Sequence, residues 1–137
     1  MKNIASTSKP YMILTPLAYA STTSGTGIKV TPGELYDAVA IALIGAVSGT
    51  PDSFTCVITV EESATVNGTY DTLATFATAT AATEVSSVQV TINPAKPYIR
   101  ATATLAFVNG TSPKVNVGVA LLVKQSTATD SNMTALS

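Results

Sequence analysis

The sequence predicts an all-β protein, an antiparallel β-sandwich or jelly roll of about eight strands, on three observations. Apolar and polar residues alternate along several stretches, so that successive side chains fall on opposite faces of a strand. Thr, Ser and Ala fill about two-fifths of the 137 residues, and Thr is a β-branched residue that favours strands. Gly- and Pro-containing turn sequences separate the alternating stretches, as in a fold of many short strands.

Four long strands and four shorter ones account for this pattern. The long strands are predicted at 35–47, 53–61, 98–108 and 115–124, and the shorter ones at 11–14, 28–31, 71–76 and 86–92. In the long strands the alternation also predicts which residues face the core. These are Val39, Ile41 and Leu43 in the first, Phe54, Cys56, Ile58 and Val60 in the second, Ile99, Ala101, Ala103, Leu105 and Phe107 in the third, and Val115, Val117, Val119, Leu121 and Val123 in the fourth.

Two Asn-Gly dipeptides mark predicted reversals of the chain. Asn67-Gly68 and Asn109-Gly110 tolerate the positive φ that a tight hairpin turn requires. The segment 109–114 is therefore expected to join the third and fourth long strands as an antiparallel hairpin. A further loop, framed by Asn93-Pro94 and Lys96-Pro97, precedes the third long strand.

The two ends differ in composition from the middle, which predicts an arm on each side of one domain. Residues 1–27 lack sustained alternation and form the N-terminal arm, residues 28–125 form the β-sandwich, and residues 126–137 form a C-terminal tail with little to bury. We expect these arms to be held by a neighbouring subunit or by their own domain.

Composition excludes several classes of function. Charged residues make up 11% and the formal net charge is −1, without the clustered cations of a nucleic-acid-binding protein. No window reaches the roughly 18 apolar residues of a membrane span. There is no His and a single Cys, so a Ser-His-Asp triad and a zinc site are both excluded. Glu61 and Glu62 are neighbours on a strand and face opposite ways, which excludes a paired-carboxylate site. We expect neither an enzyme nor a bound metal or cofactor, and an inert, buried Cys56.

The charges are divided along the chain. Seven acidic residues and no basic one lie between residues 30 and 95, whereas four basic residues and no acidic one lie between 96 and 124. Two interpretations follow: strands of the two halves interleave and mix the charges, or the acidic side of one protomer meets the basic side of the next. The candidate interface residues are Arg100, Lys96, Glu62 and Glu84, together with Tyr11 and Tyr19 of the N-terminal arm.

Several motifs resemble a recurring pattern in small structural proteins of tailed bacteriophages. In those proteins a strand ends in Glu-Ser, an Asn-Gly or Asp-Gly turn follows, and then come an aromatic residue and a Leu/Val-x-x-Phe strand, as in residues 60–76 of this chain. Lys-Pro-Tyr-Ile-Arg-Ala at 96–101 is similar to their Arg/Lys-Tyr-Ile/Val-Arg strand, and residues 115–124 resemble their last hydrophobic strand. The resemblance covers about residues 35–124, and Tyr70 stands where Trp is frequent.

This resemblance implies a capsid decoration (cement or auxiliary head) protein with a β-sandwich or jelly-roll fold, usually a homotrimer. Such a protein binds the outer head surface and stabilises contacts between major capsid proteins. Its partners are the major capsid protein and further copies of itself, and it is made in the host bacterial cytoplasm and located on the capsid surface of the virion. The alternatives are a phage tail, connector or fibre-associated module and a host-surface carbohydrate-binding module.

The predicted register of the last strand can be tested with two neighbouring leucines. Leu121→Ala removes an inward side chain and is expected to lower the free energy of unfolding by about 2–5 kcal/mol. Leu122→Ala, on the opposite face, is expected to cost much less in the free protein. Denaturant unfolding of both variants measures the difference, and equal losses would show that the register is wrong.

Overall fold

The computed structural model describes residues 8–30, 37–81, 84–93 and 95–124, and within them the chain is all-β, without a helix. Nine strands follow one another along this part of the chain. They are β1 (Ser8–Tyr19), β2 (Thr23–Ser24), β3 (Ile28–Lys29), β4 (Asp37–Ser48), β5 (Ser53–Ser63), β6 (Asp71–Thr75), β7 (Glu84–Thr91), β8 (Tyr98–Val108) and β9 (Lys114–Lys124). The C-terminal tail predicted at 126–137 lies outside the described residues.

The strands form two antiparallel sheets, which confirms the predicted β-sandwich. The first sheet has the order β1-β9-β4-β7. The second has the order β2-β8-β5-β6, with β3 also paired to β8. Apolar side chains from the inner faces of both sheets form one core between them.

Inward-facing residues of β5, β8 and β9 follow the predicted alternation. Every predicted inward residue of β5 and β9 is buried, from Phe54 to Val60 and from Val115 to Val123. On β8, Ile99, Ala101 and Ala103 are fully buried. Leu105 and Phe107, further along β8, are half-buried and pack against the same core.

Strand β4 has the opposite register to the predicted one. Its inward residues are Ala38, Ala40, Ala42 and Ile44, whereas Leu43 is 51% exposed and Val39 and Ile41 are only partly buried. The prediction that Val39, Ile41 and Leu43 face the core is therefore wrong. The physical reason is the pairing with β9, which places Ala40 beside Leu121 and Ala42 beside Val119 on the inner face. Small side chains on this central strand leave room for the large ones of its neighbour.

The loop after Asn109 connects the two sheets, so the predicted hairpin of β8 with β9 is wrong. β8 belongs to the second sheet and β9 to the first. Asn109 and Gly110 do have positive φ, of 59° and 94°, and Gly49 and Thr50 of the β4–β5 crossover have 80° and 45°. The two crossovers contact each other, because the Thr111 N–H donates to the Gly49 carbonyl at 2.8 Å and Asn109 donates to Asp52 at 2.6 Å. Positive φ allows a sharp reversal but does not select which sheet the next strand joins.

The Asn67-Gly68 segment does lie in a connection between paired strands. β5 and β6 are antiparallel neighbours, with Glu62 opposite Asp71. The connection from 64 to 70 is longer than a two-residue turn, and Ser63 stabilises it by donating a hydrogen bond to the Thr65 carbonyl at 2.7 Å. The predicted hairpin is present, with a different turn geometry.

The N-terminal segment takes part in the sandwich. Residues 8–19, which the sequence analysis assigned to an arm, form strand β1 at the edge of the first sheet, paired to β9. Ile13 and Leu14 of this strand are buried in the core. Thr23 and Ser24, in a stretch with linker composition, pair with β8. The strand predicted at 11–14 lies within β1, and its full length was not predicted because two register irregularities, between Met12 and Leu14 and between Leu14 and Leu17, interrupt the alternation.

The register of β4 gives a second test with adjacent side chains of equal size. Ile44→Ala should lower the free energy of unfolding by about 2–5 kcal/mol, because Ile44 is 2% exposed. Leu43→Ala should cost less than about 1 kcal/mol, because its side chain is largely in solvent. Urea unfolding of the two variants is the measurement, and a larger loss for Leu43→Ala would contradict the observed register.

Candidate interaction surface

The predicted interface residues fall into three separate regions. Arg100, Lys96 and Glu62 lie at one end of the second sheet, near the β5–β6 connection. Glu84 begins β7, at the edge of the first sheet, and is partly buried. Tyr11 and Tyr19 are partly buried on β1 at the opposite edge of that sheet, and both pack against the core. The six residues therefore do not form one surface.

Arg100 is paired within its own sandwich. Its Nε donates to the Glu61 carboxylate at 2.8 Å, across the β5–β8 pair, and Thr102 donates to the same oxygen at 2.8 Å. The side chains of Arg100 and Glu61 are only 29% and 16% exposed. This pair agrees with the interpretation in which strands of the acidic and basic stretches lie side by side within one protomer, so that their charges mix.

The ring of Tyr70 also contacts the Arg100 guanidinium group. The Arg100 Cζ lies 3.9 Å from the centroid of the Tyr70 ring, a cation–π contact. The Tyr70 hydroxyl donates to the Val66 carbonyl at 2.8 Å, so the ring also anchors the β5–β6 connection. Gly27 is required beside it, since a Cβ there would lie 1.7 Å from the Tyr70 hydroxyl oxygen. The cluster thus joins three parts of the chain.

Lys96 likewise has an acidic partner in the same protomer. Its Nζ lies 2.7 Å from an Asp71 oxygen, and both side chains are substantially exposed, at 36% and 59%. The hydrogen bond to Asp71 raises the pKa of Lys96. An exposed pair of this kind adds little to stability.

Glu62 is a buried carboxyl group. It is 9% exposed, and within the described residues its Oε1 atom has no hydrogen-bond partner. Burial raises the pKa of Glu62, because the charged form loses its hydration. The nearby Asp71 acts in the same direction, whereas the Lys96 charge and a hydrogen bond at the Asn93 backbone lower the pKa. A residue buried in this way cannot form an interface contact without rearrangement.

The two tyrosines of β1 are structural in this arrangement. The Tyr19 hydroxyl donates a hydrogen bond to the Thr15 carbonyl four residues earlier. Burial raises the pKa of Tyr19. This bond spans the irregular part of β1 between Leu14 and Leu17. It supplies a local constraint where the pairing with β9 is interrupted.

Reactive groups are scarce in the structure. Cys56 is 1% exposed, and burial raises the pKa of its thiol to about 11. In the part of the chain that the structure describes, no three His, Cys, Asp or Glu side chains come together in a group that could hold a metal ion. Among these same residues there is also no helix with the length and hydropathy needed to cross a membrane.

The outer face of the first sheet is apolar, which the sequence analysis did not predict. We call it the apolar face and define it by Met12, Val39, Ile41, Leu43, Val85, Ala120 and Leu122. Cross-strand pairing places Leu122 beside Val39, Ala120 beside Ile41, and Gly118 beside Leu43. Pro16 covers Gly118 so closely that a Cβ there would approach it to 2.8 Å.

Charge is absent from the centre of the apolar face. Its three cross-strand rows end on β7 in Gln89, Ser87 and Val85, which are uncharged. The charged residue nearest these rows on β4 is Asp37, at the end of the strand. Val85 is 68% exposed and Met12 45%, so large apolar side chains stand in solvent.

The outer face of the second sheet is more polar. It carries the threonines Thr55, Thr59, Thr102 and Thr104 and the partly buried Arg100–Glu61 pair, with Val57 and Val108 among its apolar members. The Thr hydroxyls can form hydrogen bonds with water. The two outer faces of the sandwich therefore differ, and the apolar one has the composition of a surface that is covered in an assembly.

Comparison with known sequences does not assign this chain to a family. It matches no protein-family model and no curated protein. Among solved structures, the SPBc2 prophage-derived protein YomS has a similar chain path, with a TM-score of 0.43 and 15% identity over 84% of this chain and 92% of that one. A likeness of this degree carries no argument about function.

The buried carboxyl of Glu62 predicts a specific pH dependence of stability. Because its pKa is raised in the folded state, the folded protein holds the proton more tightly than the unfolded chain. This contribution to stability is complete below the usual pKa of 4.5 and is lost as the pH rises through the folded-state value. Glu62→Gln stays neutral, so its stability relative to the wild type should increase from pH 4 to pH 7.

Thermal or urea unfolding between these pH values measures the effect. Glu61→Gln is the matched control, because it removes the partner of Arg100 and should lower stability at pH 7. Parallel pH profiles for the wild type and Glu62→Gln would contradict the assignment of a raised pKa.

Proposed function

We propose that this chain is a structural protein of a bacteriophage virion, a capsid decoration protein that binds the outer surface of the head. Its partner is the major capsid protein, whose neighbouring copies it holds together. In this proposal the chain is made in the host bacterial cytoplasm and acts by adhesion alone, without chemistry.

The apolar face is the observation that carries this proposal. A four-stranded sheet with side chains such as Leu43, Val85 and Met12 in solvent gains free energy when it is covered, at about 25 cal/mol per Å² of apolar surface. The hydrated outer face of the second sheet can remain in solvent at the same time. A sandwich with one face of each kind suits a protein that lies on a larger protein surface.

The sequence motifs support a phage head as that larger surface. The stretch at 60–76 and the strand that begins at 96–101 resemble small structural proteins of tailed bacteriophages, and this resemblance implies a head decoration protein. The residues of these motifs come together in the Glu61–Arg100–Tyr70 cluster, where they stabilise the β5–β6 connection. Arg100 covers one side of the Tyr70 ring, which leaves it less suited to stacking on a sugar.

The resemblance also implies a homotrimer, and no contact among the described residues specifies the number of copies. Arg100 and Lys96, the basic residues first considered for a head-to-tail contact, have acidic partners in their own protomer. The charges of Arg100 and Lys96 are therefore already paired within one protomer.

Attachment to the head can be tested with a charge placed on either outer face. Leu43→Lys puts a cation in the apolar face, and Thr104→Lys puts the same cation on the outer face of the second sheet. Each purified variant is added to heads isolated from phage that lack the gene, and occupancy is measured by sedimentation and electron microscopy.

We expect Leu43→Lys to bind at least about tenfold more weakly than the wild type, a loss of about 1.4 kcal/mol, because a cation is desolvated in the contact. Thr104→Lys should bind as the wild type does. Circular dichroism of both variants controls for folding. Wild-type protein that does not bind heads, or that binds tails instead, would overturn the proposed function.

A further inference from the structure

Among the described residues, strand β7 forms an edge of the first sheet with no strand on its outer side. Within the described chain β7 pairs with β4 alone, through eight consecutive residues from Glu84 to Thr91. In an antiparallel pair every second residue directs its N–H and C=O away from the neighbouring strand. The free side of β7 therefore presents a row of backbone donors and acceptors.

The other edge of the same sheet is protected against pairing. Strand β1 contains Pro10 and Pro16, which lack an N–H, and two register irregularities. Strand β7 has neither proline nor bulge, and its one charged residue, Glu84, stands at its first position. Its side chains are exposed on both faces, including Val85, Ser86 and Ser87. Protection of one edge and not of the other indicates that β7 has a partner.

We propose that β7 pairs antiparallel with β7 of a second copy of this chain, which joins the two first sheets into one sheet of eight strands. The contact is isologous, with a two-fold axis perpendicular to the sheet. Outward-facing residues of one copy then lie beside outward-facing residues of the other. With the axis at Val88, Ser87 lies beside Gln89 of the other copy; with the axis at Ser87, the two Ser87 side chains meet and Gln89 lies beside Val85. Neither register buries a charge.

Charge supports a copy of the same chain as the occupant. An antiparallel pairing centred on Ser87 or Val88 separates the two Glu84 carboxylates by about 20 Å or more, at about 3.3 Å per residue. That distance exceeds the Debye length of about 8 Å at physiological ionic strength, so like charges do not oppose the contact. A parallel arrangement of the strands would instead bring the two glutamates together.

Pairing would double the apolar area that is available for binding a capsid, and this step rests on the proposed function. Four strands about 4.8 Å apart and some six residues long cover about 400 Å² in plan. Stable interfaces bury about 800 Å² on each partner. A two-fold axis perpendicular to the sheet keeps both apolar faces on one side, so the pair presents about twice the area of one copy.

Cysteine cross-linking tests the pairing in the free protein, without phage heads. Residues 86–89 are replaced by Cys one at a time and the protein is oxidised. Native Cys56 is buried and does not compete. An isologous strand pair brings only the residue on the two-fold axis opposite itself, so one position should form disulfide-linked dimers and the adjacent positions far less. Thr15→Cys, exposed on β1, is the matched control and should not cross-link above background.

Sedimentation equilibrium provides a second, independent measurement. The wild type should show a concentration-dependent dimer, and Ser87→Lys should weaken it at least tenfold, because it sets two like charges close together, at the axis or next to it. Thr104→Lys, with the same added charge on the other sheet, should not. A monomer at all concentrations, a mass of three copies, or equal cross-linking at all positions would overturn the pairing. Dimers that fail to bind heads would refute the proposed function and leave the pairing intact.

Discussion

The structure depends on how the central strand β4 is packed. It lies between β9 and β7 and turns its alanine side toward the core, where Ala40 and Ala42 fit beside Leu121 and Val119. A pleated strand has only two faces, so this choice fixes the other side chains at once. Val39, Ile41 and Leu43 must point outward. The interior and the apolar exterior of the first sheet are therefore consequences of one register.

The second sheet is stabilised at its end by a different kind of contact. Arg100 joins β8 to Glu61 of β5 and to the ring of Tyr70 in the connection that follows. The partly buried position of the pair strengthens its electrostatic interaction relative to an exposed one. Beside it, Glu62 faces inward, and among the described residues its Oε1 atom has no hydrogen-bond partner, so the stability of this end of the sandwich depends on the protonation of that carboxyl group. Adjacent carboxylates thus have different environments because they lie on opposite faces of one strand.

The asymmetry of the sandwich connects its fold to its proposed role. One outer face carries threonines and paired charges, and the other carries large apolar side chains. One edge of the apolar sheet has prolines and irregular pairing, and the other has an unbroken strand. The apolar face can bind a capsid while β7 pairs with a second copy. The side chains of a face and the backbone groups at an edge point in perpendicular directions, so the two contacts do not compete.

The alternation pattern alone predicted the fold class, the location of β5, β8 and β9, and their inward residues, because in each of these strands one side is clearly more apolar than the other and is the side that is buried. It could not determine the register of β4, where alanine alternates with valine, isoleucine and leucine and both faces are apolar. Nor could it show that Asn109-Gly110 leads from one sheet to the other, since the turn geometry is local and the destination of β9 is set by pairing with β1 and β4. The partners of Arg100 and Lys96 are distant in sequence and meet only through the alignment of β5, β6 and β8. Each of these features depends on which strand lies beside which, and pairing between strands distant in sequence is not encoded in the local alternation pattern.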